Sequence, residues 1–172
     1  MELKEVMKLI LKKYGGLYNF ALTKLVYLID VESVRRTGEQ ITNINWRKGV
    51  YGPFVHDIIN CAEKNRDEFE VTYKEGFNGE KKLIDLKASA TLKLETDIEA
   101  LIDEVKNNAP NPNSDSSSFR DYIYETIPMK VCWSGSELNI KAAMKAEREV
   151  DELCFELDTQ EWNEAFNYLA EH

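Results

Sequence analysis

The sequence predicts an α+β fold that is predominantly α-helical, with a small antiparallel β-hairpin or sheet. Three observations carry this. Apolar residues recur at helical spacing through most of the chain, a single segment near the middle switches to strict alternation, and no alternating βαβ units argue for a parallel sheet. At 172 residues the chain is long enough for one domain and barely for two, and it can bury a core without disulfides or metal.

The elements follow in order. Leu3, Val6, Met7, Ile10 and Leu11 mark a helix over 3–13, ended by Tyr14-Gly15-Gly16. A second helix runs over 19–36 on the stripe Leu22, Leu25, Val26, Ile29 and Val34, widened by Tyr27 and Leu28, with Thr37-Gly38 as its stop. Residues 39–52 read as a short strand or extended loop. Pro53 suits the first turn of a helix, because its missing N–H costs nothing there, and 54–64 continue helically. Phe69, Val71 and Tyr73 then alternate with polar residues. Asn78-Gly79 is a tight-turn signal, which predicts a hairpin of 69–75 with 82–87.

Helical spacing returns over 91–107. The stretch 107–118, rich in Asn, Pro and Ser, is a loop. Ser118 or a neighbouring serine caps a helix over 119–126, and Pro128 ends it. Ser136 or Asn139 caps a long helix near 138–156, and Asp158 or Thr159 caps a last one over 160–170. Residues 1–135 are expected to form the main domain and 136–172 an acidic helical extension, packing on it or projecting from it.

Composition excludes several classes. With 43% hydrophobic and 10% aromatic residues the chain is not intrinsically disordered. No apolar run is long enough to span a bilayer, and the start lacks a secretory pattern, so a cytoplasmic location is expected. The net charge of −9 disfavours general nucleic-acid binding. That charge is uneven: residues 1–56 hold nine Lys/Arg against five Asp/Glu, which leaves −13 on the remaining 116 residues.

Catalytic and metal chemistry find little support. Cys61, Cys132 and Cys154 are far apart, and the only histidines are His56 and His172, so no zinc-type spacing exists. Nucleophilic catalysis would rest on His56 as base. The glycines lack a phosphate-loop frame. No metal, cofactor or catalytic residue is therefore assigned, and the chain is expected not to be an enzyme.

Two aromatic clusters stand out instead. The first runs Trp46-Arg47-Lys48-Gly49-Val50-Tyr51-Gly52-Pro53-Phe54. It combines the residue types enriched at binding hot spots with backbone-restricting Gly and Pro. The second, Tyr122-Ile123-Tyr124-Glu125-Thr126-Ile127-Pro128-Met129, ends near Trp133. Both also suit core packing, since Tyr and Trp bury well when their polar tips find partners.

Three segments in order carry a resemblance. They are Leu22-Thr23-Lys24-Leu25-Val26-Tyr27-Leu28-Ile29-Asp30, then Tyr51-Gly52-Pro53-Phe54 with Asp57-Ile58, then Tyr122 to Pro128. Over roughly residues 5–130 the chain resembles the Panacea domain, the SocA-like antitoxin domain of phage-associated proteins. The resemblance implies a mainly helical fold with a small β element and no catalytic centre or cofactor. It also implies a role in neutralising a toxin by direct contact; one member of the family is a proteolytic adaptor. The expected partner is thus a protein, a cognate toxin and possibly a protease, rather than nucleic acid or membrane. The expected contact residues are Trp46, Arg47, Lys48, Tyr51, Phe54, Tyr122 and Tyr124, with Gly52 and Pro53 shaping the backbone. The rival reading is a proteolytic adaptor or an acidic inhibitor of a nuclease or defence protein.

Overall fold

The computed structural model describes residues 1–76, 79–92 and 96–151. The first helix, α1 (Leu3–Tyr14), buries Val6, Met7, Leu9, Ile10 and Leu11. It also buries Lys8, which is matched by Glu5 at 3.0 Å, by Glu68 at 3.2 Å and by the Thr91 carbonyl at 2.6 Å. A two-residue strand, β1 (Leu17–Tyr18), leads directly into α2 (Asn19–Thr37).

α2 is the central element. Thirteen of its nineteen residues are buried, including Thr23, Lys24, Asp30 and Ser33. The expected one-sided stripe is therefore a helix enclosed almost all round, packed by α1, by later helices and by strands of both sheets. Its buried polar groups need partners. Thr23 Oγ1 donates to the Asn19 carbonyl at 2.7 Å, and Ser33 Oγ to the Glu39 carbonyl at 2.7 Å. Gly38, at φ 80°, closes the helix in the left-handed conformation, its N–H bonding the Val34 carbonyl.

After an irregular stretch, β2 (Arg47–Gly49) and β3 (Gly52–Phe54) form a small antiparallel hairpin turning at Val50-Tyr51. This corrects the expectation for Pro53. It lies in a strand opposite Lys48, and the next helix, α3 (Asp57–Lys64), begins four residues later. Proline is tolerated in so short an edge strand because no inward ladder bond is asked of its nitrogen.

β4 (Phe69–Gly76) and β5 (Gly79–Leu86) pair antiparallel from Phe69↔Leu86 to Gly76↔Gly79, longer than the sequence predicts. β1 joins β5 on its other edge through Leu17↔Ile84, a third strand too short to show in the sequence pattern. Residues 77 and 78, including the Asn of the predicted turn, lie outside the described residues. α4 (Thr96–Asn108) buries Ile98, Leu101, Ile102 and Val105, and Lys12 and Lys13 of α1 pair with its Glu99 and Asp103 at 3.2 and 2.6 Å.

α5 (Ser116–Tyr124) is capped by Asp115, whose Oδ1 accepts from the Ser118 N–H at 3.0 Å, rather than by a serine. Pro128 does not end it. Pro128 occupies the first turn of a further helix, α6 (Ile127–Val131), where a proline is pre-shaped for helical φ. A seventh helix, α7, starts at 140 and runs to the edge of the described residues at 151. Cys154, His172 and the predicted helix over 160–170 fall outside them. No helix among the described residues is long and apolar enough to cross a membrane.

Candidate protein-binding surface

The β2–β3 hairpin is pinned from below by a row of polar contacts. Asp30 of α2 is fully buried and gathers four donors: the Thr42 N–H at 2.9 Å, the Thr42 hydroxyl at 2.5 Å, the Gln40 amide at 3.3 Å and the Trp46 indole N–H at 2.8 Å. Burial raises the pKa of its carboxyl, and the bonds from Thr42, Trp46 and Gln40 oppose that rise. Trp46 is 1% exposed and meets Tyr27 edge-on, the ring centroids 5.5 Å apart. The expected contact role of Trp46 is thus corrected: its side chain is a core anchor that ties the strand entrance to α2. Tyr27 in turn shares a 2.9 Å bond with Thr126 Oγ1. Because that hydroxyl donates to the Ile123 carbonyl, the Tyr27 phenol is the donor, and burial raises its pKa.

Lys24 supports the other strand. It is 3% exposed, donates to the Pro53 carbonyl at 2.5 Å, and lies 4.3 Å from the centroid of the Phe20 ring. Burial alone lowers its pKa, to about 8. Gly52 makes this approach feasible. A Cβ there would sit 3.3 Å from Lys24 Cε, and the residue holds φ 98°, which side-chain-bearing residues rarely adopt.

Lys48 joins the hairpin to the chain beyond α5. Its Nζ donates to the carbonyls of Met129 at 2.5 Å and Cys132 at 2.7 Å, groups left over where α6 ends. The backbone of 46–48 also pairs with 135–138: Lys48 N to Ser136 O at 2.9 Å, Gly135 N to Lys48 O at 2.7 Å, and Leu138 N to Trp46 O at 2.8 Å. Tyr124 closes the frame by donating to the Val50 carbonyl at 3.0 Å.

On this frame stand large exposed side chains. Val50 is 77% exposed, Tyr51 73% and Trp133 86%, with Phe54, Phe20 and Val131 also open. Phe54 packs edge-on against His56, the ring centroids 4.8 Å apart. His56 is exposed, and its imidazole makes no hydrogen bond among the described residues, so nothing there orients it as a base. No group of three or more His, Cys, Asp or Glu among the described residues could hold a metal ion.

Of the predicted site residues, the fold gathers Arg47, Lys48, Tyr51, Gly52, Pro53, Phe54 and Tyr124 around one hairpin. Gly52 and Pro53 are buried, and Arg47 is exposed, its guanidinium donating to the Gly135 carbonyl at 3.4 Å. Tyr122, two residues from Tyr124 on α5, lines instead a cleft with Leu28 and Glu32 of α2 and Glu104 of α4. Phe20, Val50, Val131 and Trp133 were not expected to belong. Phe20 carried no readable signal: it lies seven residues before Tyr27, on the phase of a buried residue of the same helix.

The sequence matches the family model described as antitoxin SocA-like, Panacea domain, over residues 22–126. The chain belongs to the SocA-like Panacea family. The match starts inside α2 and ends at Thr126, the N-cap of α6, and so holds Lys24, Asp30, Trp46 and the whole hairpin. No curated protein and no solved structure matches the chain. Membership in this family suggests an antitoxin-type, non-enzymatic role with a protein partner.

Proposed function

We propose that the protein neutralises a cognate toxin by direct contact, using the tip of the β2–β3 hairpin and the neighbouring Trp133 as its contact surface. The observation that carries this reading is the pairing of opposites in one place. Val50, Tyr51, Phe54 and Trp133 are exposed, while the backbone beneath them is fixed by Lys24, Lys48, Tyr124 and Asp30. A rigid frame lowers the entropy lost on association, and aromatic side chains supply most of the energy at such contacts. The mechanism is steric: the toxin's working surface is covered when these side chains are buried against it. Within this reading Arg47 serves the rim and Tyr122 lies outside the central patch.

A growth-rescue assay tests the reading. The product of the neighbouring gene is induced alone and together with this chain. Rescue by the parent, and loss of rescue with folded Tyr51→Ala/Phe54→Ala, support it. A harmless neighbour, or rescue undiminished by the double substitution, removes it. The rival reading, an acidic charge mimic, predicts an affinity that collapses as salt rises, whereas an aromatic-anchored contact holds.

A further inference from the structure

Two lysines are almost completely buried, and they are treated differently by the fold. Lys8 lies between two carboxylates and a carbonyl. Lys24 has one carbonyl, that of Pro53, and one aromatic face, that of Phe20. Among the described residues no carboxylate pairs with it. A buried cation is ordinarily matched by an anion, because burial without one is costly. The exception here stands directly beneath the surface assigned above to the partner, between exposed Phe20 and the strand leading to exposed Phe54.

Resting on that reading, we propose that Lys24 is the receptor for a carboxylate of the partner protein, an Asp or Glu side chain that enters beside Phe20 and forms the ion pair that Lys24 does not make among the described residues. The ammonium has three donors and uses one of them on Pro53. The remaining two match one carboxylate. Phe20 is the gate: it is exposed, it sits in the first turn of α2, and its ring covers the ammonium with its centroid at 4.3 Å. The small residue at Gly52 leaves the lysine head room against the hairpin. An ion pair closed in this way is shielded from solvent, so it confers selectivity for a partner bearing an acid at one place.

The test uses the full chain and the toxin identified by rescue. Lys24→Gln keeps a donor for the Pro53 carbonyl and removes the charge, and Lys24→Met removes both. The expected result is at least a tenfold loss of affinity with Lys24→Gln while its melting temperature stays at or above that of the parent. One Asp→Asn or Glu→Gln substitution in the toxin should reproduce the loss, and combining it with Lys24→Gln should add little. If Lys24→Gln binds like the parent, the inference falls while the proposed function stands. If affinity drops but no toxin carboxylate couples to Lys24, the lysine is a structural strut only, and the inference is overturned. Should the parent itself fail to rescue, the proposed function falls first and takes this inference with it.

Discussion

The indole N–H of Trp46 donates to Asp30 Oδ2 at 2.8 Å, joining the central helix to the strand that begins the β2–β3 hairpin. The same oxygen accepts from the Thr42 hydroxyl and the Gln40 amide, so one carboxylate organises the whole 40–46 stretch, which has no regular structure of its own. Its geometry explains why a large aromatic near the surface motif is not part of the surface.

Asp30→Asn places an amide where the carboxylate accepts bonds from three residues, turning at least one donor against another. Leaving buried donors unsatisfied costs about 1–3 kcal/mol each. The variant is expected to lose about 2–4 kcal/mol, read as a lowered urea midpoint at pH 7. Trp46→Phe removes both the N–H and part of a fully buried ring system, and is expected to lower the urea midpoint as well.

The pH dependence of Lys24 has a definite sign. Its folded pKa, about 8, lies below the ordinary 10.5. The cost of holding the charged form is fully present below about 8. It is relieved as pH rises towards 10.5, because there the unfolded chain binds more protons than the folded one. The stability of Lys24→Met relative to the parent should therefore be most favourable at pH 7 and shrink by pH 10. Denaturant melts of both proteins at three pH values settle it, and a difference that stays constant with pH would contradict the burial argument.

Gly52→Ala combines a strained φ of 98° with a Cβ at 3.3 Å from Lys24 Cε. A loss of about 1–3 kcal/mol is expected. Because the strain falls on the hairpin, rescue of toxin-arrested growth should weaken even in cells kept cool enough for the protein to remain folded.

Lys48→Met deprives the carbonyls of Met129 and Cys132 of their shared donor. Amide exchange at Val131 through Leu138 should quicken while exchange in α1 and the centre of α2 is unchanged. The free energy of local opening of that segment should fall by about 1–3 kcal/mol. Uniform protection across both regions would show that the clasp is dispensable.

Tyr51→Ala and Trp133→Ala should each leave stability within about 0.5 kcal/mol, since both side chains project into solvent. Against a partner bound there, each should cost about 2 kcal/mol or more of binding. Isothermal titration and a melting curve on the same preparations separate the two effects.

Much of this arrangement is legible in the sequence. Stripes such as Val6, Ile10 and Leu22, Leu25, Ile29 located the helices because burial imposes their period. Alternation at Phe69, Val71 and Tyr73 located the long hairpin. Pro53 misled because its φ suits both a helix start and an extended strand, and only the pairing with Lys48 decides between them. Trp46 misled for a different reason. Hot-spot composition and core composition overlap, and the partner that draws Trp46 inward, Asp30, lies sixteen residues away. Lys24 was silent in the sequence, since a lysine within an apolar helix reads as a snorkelling surface residue until its neighbours are known. Tyr122 and Tyr124 looked alike as a pair, yet two positions on a helix point about 200° apart, so the fold sends them to separate faces.

The pairing of 46–48 with 135–138 bears on how far the chain can be shortened. The family match ends at 126, which invites trimming to that point. Such a fragment would retain every aromatic at the hairpin tip. It would lose the backbone partners of Trp46 and Lys48, both acceptors of the Lys48 ammonium, and all of α1 if cut at 22 as well. A fragment of 22–126 should therefore behave as a poorly folded or aggregating species, and a negative binding result obtained with it would say nothing about the intact protein. A piece worth purifying keeps residue 1 through at least Met144, which holds the strand partners at 135–138 and the buried Leu138, Ile140 and Met144.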